Sequence, residues 1–217
     1  MLVLDAISPA PRCLRMFLLE KNIQLDSQFI DVITGENRET EYLSINPAGQ
    51  TPSLQLDDGS YITESLAIAE YLEELYPQPV LIGNNPKERA ETRMWWRRVE
   101  LNITEFIHNA FHYSEGLNRF KSRIPVVPEA APGLKMVAQD RIQWLDSMMH
   151  GLYLCGDRFS AADIWLYVWL DFANQVQVNQ PINFSQLKHL SSWFEEISKR
   201  SSAQLSQKPL HEIKKNS

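Results

Sequence analysis

The stretch "NPAGQTPSLQLDDGSYITESLAIAEYLEELYP", residues 46–77, decides the fold of the first part of the chain. Its middle, "SLQLDDGSYIT", has two short alternating segments around an Asp-Gly pair, which predicts two strands joined by a tight turn. Pro52 stands at the entry of the first strand, a position that favours a cis peptide bond with Thr51. Such a bond would turn the main chain of Thr51 sideways, so we expect its N–H and C=O to pair with an extended peptide ligand.

The same stretch continues into a helix predicted over 64–76, whose first turn holds Thr63, Glu64 and Ser65. N–H groups and a hydroxyl converge there on the positive end of the helix dipole, which favours a bound carboxylate. An ordinary helix start with an acidic residue in its first turn has the same sequence pattern and binds no ligand. The sequence leaves both interpretations open.

Upstream, "LVLDA" predicts a strand, 11–22 a helix, and "QFIDVI" (28–33) a second strand. Ser8 suits the N-cap of the first helix, and Pro9 suits its first helical position. The first turn of a helix also presents unpaired N–H groups, which would stabilise a thiolate. These signals predict an α/β unit.

Downstream, "PQPVLIGNNP" (77–86) has the composition of a linker. In "GDRFSAADIWL", Ser160 and Asp163 predict a capping box, with Phe159 as the hydrophobic staple that precedes it. We expect the polar tail, 201–217, to fray. Helices are predicted over Lys87–Leu117 and near 133–150, 160–175 and 187–200.

Composition excludes several classes of function. The 217 residues are 44% hydrophobic and carry a net charge of −6, which argues against a nucleic-acid partner or a basic membrane-binding face. The longest apolar run, at 164–170, is too short to span a bilayer, and no signal peptide is recognisable, so we expect a cytoplasmic protein without a membrane partner.

Two cysteines cannot form a disulfide framework, and Cys13 is predicted to be a buried packing thiol. His108 and His112 are four residues apart but lack a third ligand, so no metal is predicted.

The order of these features resembles the soluble glutathione transferase superfamily over nearly the whole chain. The most specific pieces are "NPAGQTPSL", "ITESLAIAEYLEELYP" and "FSAADIWL". The likeness is to a serine-type, bacterial-like member with zeta and theta features. It implies an α+β two-domain fold: a thioredoxin-like glutathione-binding domain at 1–78, a linker at 79–86 and an all-helical bundle at 87–217.

The resemblance also implies roles for individual residues. Ser8 would donate a hydrogen bond to the thiolate of glutathione, the co-substrate, and lower its pKa by about one or two units. Leu66 stands where many serine-type relatives have an arginine, and Asn37 stands where some have a histidine. Because two charged or ionisable contacts are missing, the sequence predicts weak glutathione binding or a modified ligand. Glutathione is expected to contact Arg12, Gln50, Thr51, Pro52, Glu64 and Ser65.

The predicted long helix supplies two further sets of candidates. One face could line a pocket for the electrophile, although the favoured role of Phe106 on that face is core packing. The superfamily usually forms homodimers, and the first part of this helix could contribute to the contact. The pocket candidates are Asn102, Phe106, Asn109 and Tyr113, and the dimer candidates are Met94, Trp95 and Val99.

Three functions remain open at this point. The first is a glutathione transferase acting on small apolar electrophiles in detoxification. The second is an isomerase of the maleylacetoacetate (zeta) type, which "SLAIAEYLEELYPQPVLI" favours, although that class has Ser-Ser-Cys where this chain has Ser-Pro-Ala at 8–10. The third is a transferase-like module without catalysis, which the combined presence of Ser8, Pro52, Glu64 and Ser65 disfavours.

Overall fold

The computed structural model describes residues 1–176, 182 and 184–213. The chain divides into two compact units: Met1–Ile82 together with a C-terminal segment that begins at Lys199, and Gly83–Ser198. The domain bounds 1–78, 79–86 and 87–217 stay a prediction. They differ from the compact units because the C-terminal segment belongs with the first unit.

Four short strands form the sheet of the first unit. They are β1 (Leu2–Asp5), β2 (Asp26–Phe29), β3 (Ser53–Gln55) and β4 (Tyr61–Thr63), in the order β2-β1-β3-β4. β1 pairs in parallel with β2 and antiparallel with β3, and β3 pairs antiparallel with β4. The register places Ser53 opposite both Leu4 and Thr63. The ends of β1 and β4 and the start of β3 therefore meet at one edge of the sheet.

The hairpin predicted from the Asp-Gly pair is confirmed. Leu56 N–H donates to the carbonyl of Ser60 at 2.8 Å, and Gly59 N–H donates to the carbonyl of Leu56 at 3.1 Å. Gly59 has φ +85°, which a glycine adopts without steric cost. The helices of this part are α1 (Pro9–Glu20), α2 (Thr40–Ile45) and α3 (Ser65–Leu75), with a 3₁₀ turn at Glu36–Arg38.

The strand predicted at 28–33 is displaced in the structure. β2 begins at Asp26 and ends at Phe29. Beyond it, Ile30 is buried and donates its N–H to the carbonyl of Asp5 at 2.7 Å. The Asp31 carboxylate then accepts from the N–H of Ile33 at 2.8 Å, which turns the chain out of the sheet. The apolar residues at 30–33 that suggested a longer strand belong to this turn.

A π-helical turn, Glu100–Thr104, interrupts the single helix predicted over Lys87–Leu117. The Asn102 amide donates to the carbonyl of Arg98 at 2.9 Å. A side-chain hydrogen bond of this kind to the backbone competes with the regular hydrogen bonds of an α-helix. The second unit contains α4 (Pro86–Val99), α5 (Glu105–Tyr113), α6 (Leu117–Phe120), α7 (Ala131–Met148), α8 (Ala161–Gln175) and α9 (Leu190–Ser198), with 3₁₀ turns at Pro128–Ala130 and Phe184–Gln186.

The burial of α4 corrects the predicted dimer contact. Val99 is completely buried and Trp95 is only 8% exposed, so both pack inside a single copy of the chain. Met94 is exposed and is the one predicted contact residue that could face a second copy.

The predicted capping box at the start of α8 is confirmed. The Asp163 carboxylate accepts from the backbone N–H of Ser160 at 3.0 Å and from its hydroxyl at 2.8 Å. The other carboxylate oxygen accepts from the N–H of Leu154 and from the indole of Trp193, both at 2.9 Å. Since residues 161–170 are all buried, this capped helix is the centre of the second unit.

The prediction that the tail frays is wrong for residues 201–213. The structure has α10 (Ser201–Leu205) and α11 (Leu210–Ile213) there, and residues 214–217 lie outside the described part. The Arg200 guanidinium makes two 2.7 Å bonds to the Glu20 carboxylate, which ties this segment to α1. Among the described helices, none has both the length and the apolar character needed to cross a membrane.

Candidate active site

Three of the predicted site segments lie at the same edge of the sheet. Ser8 follows β1, Pro52 precedes β3, and Glu64 follows β4. The register described above brings these three strand ends to adjacent positions. The hydroxyl of Ser65 also donates to the carbonyl of Ala10 at 3.4 Å, so the first turns of α1 and α3 are in contact. The structure therefore brings together segments that are far apart in sequence.

Ser8 occupies the N-cap position of α1, with φ −158° and ψ 168°. Its N–H donates to the carbonyl of Ala6 at 3.1 Å, and its carbonyl accepts from the N–H of Arg12 at 3.2 Å. Its hydroxyl makes no capping bond, so the capping interpretation is wrong for the side chain. Because Ser8 is half-buried and its hydroxyl is not used by the helix, the hydroxyl can serve a ligand.

The Thr51–Pro52 peptide bond is cis, as predicted. Pro52 is buried, Thr51 is half-buried, and Gln50 is exposed. Two side chains hold this segment from behind: the Tyr42 hydroxyl and the Asn46 amide donate to the carbonyl of Gln50 at 2.7 and 2.9 Å. The main chain that would pair with a peptide ligand is therefore fixed in place.

Sequence reasoning missed both supporting residues. Asn46 opens the "NPAGQTPSL" stretch and could have been suspected, whereas nothing local distinguishes Tyr42 from a core tyrosine. Burial raises the pKa of the Tyr42 phenol, which keeps the hydroxyl protonated as a donor. Asn37, predicted as a departure from the family pattern, donates its amide to the carbonyl of Gly49 at 2.6 Å and supports the same loop.

Glu64 has a backbone conformation that is uncommon for a residue with a side chain, φ 68° and ψ 121°. Such a conformation costs about 1–3 kcal/mol, persists only where the surrounding structure imposes it, and is concentrated at functional sites. Glu64 is exposed at the N-cap of α3 and makes no capping bond with its side chain. The first N–H groups of α3 have no acceptor within the helix, and the side chain of Glu64 does not cap them.

Comparison with known proteins agrees with this arrangement. The family models for the glutathione S-transferase N-terminal and C-terminal domains match residues 7–75 and 118–201. Glutathione S-transferase 2 of Saccharomyces cerevisiae is 30% identical, over 96% of this chain and 88% of that protein. The chain belongs to the glutathione S-transferase family. The predicted family is therefore confirmed.

Two further relatives refine the comparison within the glutathione S-transferase family. The crystal structure of a glutathione S-transferase domain-containing protein from Marinobacter aquaeolei superposes with a TM-score of 0.85 at 33% identity, over 93% of this chain and 99% of that one. The predicted fold class, a thioredoxin-like domain followed by a helical domain, is confirmed. The maleylacetoacetate isomerase of Pseudomonas aeruginosa is 43% identical, but only over 44% of this chain and 46% of that protein.

Arg12 differs from the other residues expected to contact glutathione. It is 7% exposed, and its guanidinium donates to the carbonyl of Ala203 in α10 at 3.2 Å. In this glutathione S-transferase, Arg12 therefore connects α1 to the C-terminal segment, and its contact with glutathione stays a prediction. Cys13 beside it is 2% exposed, and burial raises the pKa of its thiol, so the predicted packing role is confirmed.

The four electrophile-pocket candidates are not all on one regular helix. Asn102 lies in the π-helical turn, whereas Phe106, Asn109 and Tyr113 lie on α5. All four are half-buried. Tyr113 lines an open cavity of about 610 Å³, and the other three do not appear in its lining. The rest of the lining is formed by Ser114, Pro128, Ala131, Pro132, Lys135, Met136 and Gln139.

The two histidines of α5 are neighbours, as their spacing predicted. The rings of His108 and His112 are 4.1 Å apart, centre to centre, and His108 also contacts Trp169 edge-on at 5.1 Å. Burial, and then the charge of His112, lowers the pKa of His108 to about 3. Within residues 1–176, 182 and 184–213, no group of three or more His, Cys, Asp or Glu side chains is placed to hold a metal ion.

Proposed function

We propose that the protein conjugates glutathione to small apolar electrophiles and that Ser8 stabilises the glutathione thiolate. Membership in the glutathione S-transferase family carries the general reaction, and the prediction of a transferase enzyme is confirmed at that level. The observation that carries the residue-level proposal is the Ser8 hydroxyl, which stands at the start of α1 without a capping bond.

The chemistry at Ser8 is electrostatic. A free thiol has a pKa near ~8.5, so only a small fraction is ionised at neutral pH. A hydrogen bond from the Ser8 hydroxyl, with the positive end of α1 beside it, favours the thiolate and lowers its pKa by about one or two units, or about 1.4 kcal/mol for each unit. The bound thiolate then forms a bond to the electrophilic carbon, which in a chloronitrobenzene releases chloride with the electron pair of the broken bond, and Ser8 itself forms no covalent bond.

The remainder of glutathione is assigned to the other two segments. The main chain of Thr51 pairs with the cysteinyl part of glutathione, with Gln50 and Pro52 beside it. Glu64 and Ser65 take the γ-glutamyl end at the start of α3. The rigid support behind Gln50 and the imposed backbone of Glu64 favour this assignment.

Several finer predictions belong to this proposal. Asn102, Phe106, Asn109 and Tyr113 contribute to binding of the electrophile. The protein acts in detoxification, in the cytoplasm, as a homodimer and without a metal. Glutathione binds weakly, because Asn37 is committed to the carbonyl of Gly49 and Leu66 cannot form an ion pair.

A second candidate function is a glutathione-dependent isomerase. Its support is the 43% identity to the maleylacetoacetate isomerase of Pseudomonas aeruginosa, which is higher than that of the longer match but covers less than half of either chain. Product analysis separates the two functions: a transferase consumes glutathione in proportion to product, and an isomerase returns it unchanged. A module without catalysis would show neither reaction.

The proposal is tested by turnover against pH for the wild type and Ser8→Ala, with a chloronitrobenzene as the electrophile. We expect Ser8→Ala to lower turnover at neutral pH by roughly tenfold to a hundredfold, corresponding to one or two units of thiol pKa. Ser44→Ala, which removes an exposed serine hydroxyl from α2, is the matched control and should behave as the wild type. An active Ser8→Ala variant with an unshifted pH profile would remove Ser8 from the mechanism.

Glutathione binding is tested separately by isothermal titration. The double variant Glu64→Ala/Ser65→Ala should weaken binding by about tenfold or more, because it removes the side chains assigned to the γ-glutamyl end. Glu41→Ala/Ser44→Ala removes the same two residue types from the exposed face of α2 and should leave the dissociation constant unchanged. Equal dissociation constants for all three proteins would contradict the assignment.

A further inference from the structure

A buried ion pair lies directly behind the Ser8 turn. Asp5, the last residue of β1, and Arg15, in the middle of α1, are 1% and 2% exposed. The Arg15 guanidinium donates to the Asp5 carboxylate at 2.6 Å. Two charges removed from water are stable only when further hydrogen bonds satisfy their remaining polar atoms. The partners that do so determine what this ion pair controls.

One of these partners connects the ion pair to Ser8. The nitrogen of Arg15 that contacts Asp5 also donates to the carbonyl of Ala6 at 2.8 Å. The same carbonyl accepts from the backbone N–H of Ser8 at 3.1 Å. The guanidinium and the Ser8 main chain are thus fixed to one atom. A displacement of Arg15 therefore removes a hydrogen bond from the atom that anchors the Ser8 turn.

The other partners come from the C-terminal segment. Arg15 Nε donates to the carbonyl of Ser206 at 2.8 Å, and the second Asp5 oxygen accepts from the N–H of Leu210 at 2.9 Å. These bonds join residues that are 191 and 205 positions apart in sequence. The network that fixes the Ser8 turn is therefore completed only when the C-terminal segment is in place.

We propose that Arg15 is a positioning residue for Ser8 and that the C-terminal segment, through Ser206 and Leu210, is a necessary part of the catalytic turn. This inference rests on the proposed role of Ser8. The C-terminal segment contributes main-chain groups and no side chain to the network, so its function depends on where its backbone lies. A purely structural role would change stability and leave the ionisation of bound glutathione unaltered.

Leu210 provides a substitution that removes a single atom of the network. It is the first residue of α11, where proline is well tolerated, and its N–H donates to Asp5. Leu210→Pro deletes that donor, and Leu210→Ala keeps the donor while losing more of the buried side chain. Comparison of these two variants separates the hydrogen bond from the packing.

The second perturbation acts on Arg15 itself. Arg15→Lys keeps the positive charge, but an ammonium on a flexible stem cannot hold the Asp5, Ala6 and Ser206 acceptors in the same geometry. Lys21→Met is the control, because it breaks another buried ion pair of the first unit, that of Lys21 with Glu73, which touches no part of the Ser8 turn.

The measurement is the pKa of bound glutathione, read from the ultraviolet difference spectrum of its thiolate, together with thermal unfolding of each variant. We expect Leu210→Pro and Arg15→Lys to raise the thiol pKa by about half a unit to one unit, which lowers turnover at neutral pH roughly three- to tenfold. Leu210→Ala and Lys21→Met should lose stability without a shift in the thiol pKa.

The outcomes distinguish this inference from the proposed function. A folded Leu210→Pro or Arg15→Lys protein with the wild-type thiol pKa would overturn the inference, provided that Ser8→Ala does shift it. If Ser8→Ala leaves the thiol pKa unchanged, the role of Ser8 fails instead. If Leu210→Pro does not fold, Arg15→Lys decides by the same readout; if neither folds although Leu210→Ala and Lys21→Met do, the network serves the fold alone, and the inference is also overturned.

Discussion

Removal of the Asp163 carboxylate should destabilise the second unit severely. In the structure this one side chain accepts four hydrogen bonds from buried groups of three different residues. Asp163→Ala removes an N-terminal cap interaction, which costs about 0.5–2 kcal/mol. It also leaves the Leu154 N–H and the Trp193 indole N–H without their acceptor, at about 1–3 kcal/mol each. The expected loss, about 2.5–8 kcal/mol, is a large fraction of a typical folding free energy of about 5–15 kcal/mol.

Urea unfolding followed by tryptophan fluorescence measures this loss. Asp163→Asn keeps one acceptor oxygen for Leu154 and Trp193 but presents an amide to Ser160, so its loss should lie between those of the wild type and Asp163→Ala. Asp157→Ala, an exposed aspartate of the same loop, is the control and should change the midpoint little. A loss below about 1 kcal/mol for Asp163→Ala would show that the four buried hydrogen bonds of this carboxylate contribute little to the stability of the second unit.

Three further predictions concern other parts of the chain. Glu73 pairs with Lys21 at 2.6 Å and accepts from the backbone N–H groups of Leu81 and Ile82. Glu73→Ala should therefore lower the free energy of unfolding by about 3–5 kcal/mol, whereas Glu74→Ala, at an exposed neighbour, should change it little. Equal urea midpoints for the two variants would contradict this. The pKa of His108, about 3, lies below the ~6.5 of a histidine in an unfolded chain, so the free energy of unfolding should fall as the pH drops from about 6.5 towards 3. His108→Gln should flatten this dependence, and identical pH profiles of the urea midpoint for the two proteins would disprove it. Sedimentation at micromolar concentration should give the mass of a dimer, and Met94→Glu should lower the dimer fraction; a monomeric wild type would exclude the proposed homodimer.

Local chemistry explains which parts of the fold the sequence predicted correctly. The hairpin at Gly59, the cis bond before Pro52 and the capping box at Asp163 each depend on a few neighbouring residues, and the structure has all three. The turn at Asp31 and the π-helical turn at Asn102 also use local side chains, but there the side chain bonds override an apolar pattern that was read as regular structure.

The long-range features could not be predicted from a single sequence. Arg15 is bound to Ser206 only because the fold brings residues 191 positions apart together. Tyr42 holds the carbonyl of Gln50, eight residues further on, only because the loop between them folds back on α2. For the same reason the C-terminal segment appeared to be a polar tail. The amino-acid sequence does not predict the positive φ of Glu64, since glutamate rarely adopts it. This backbone conformation is nevertheless among the strongest indications of function in the structure.

The role of Ser8 is decided by the pKa of glutathione bound to the wild type and to Ser8→Ala, read from ultraviolet difference titration of the thiolate. We expect a wild-type pKa about one or two units below the ~8.5 of a free thiol, and a pKa in Ser8→Ala that returns most of the way to it. We also expect similar glutathione affinity for the two proteins at low pH, where the ligand is a neutral thiol. The same depressed pKa in both proteins would contradict the claim that the Ser8 hydroxyl stabilises the thiolate.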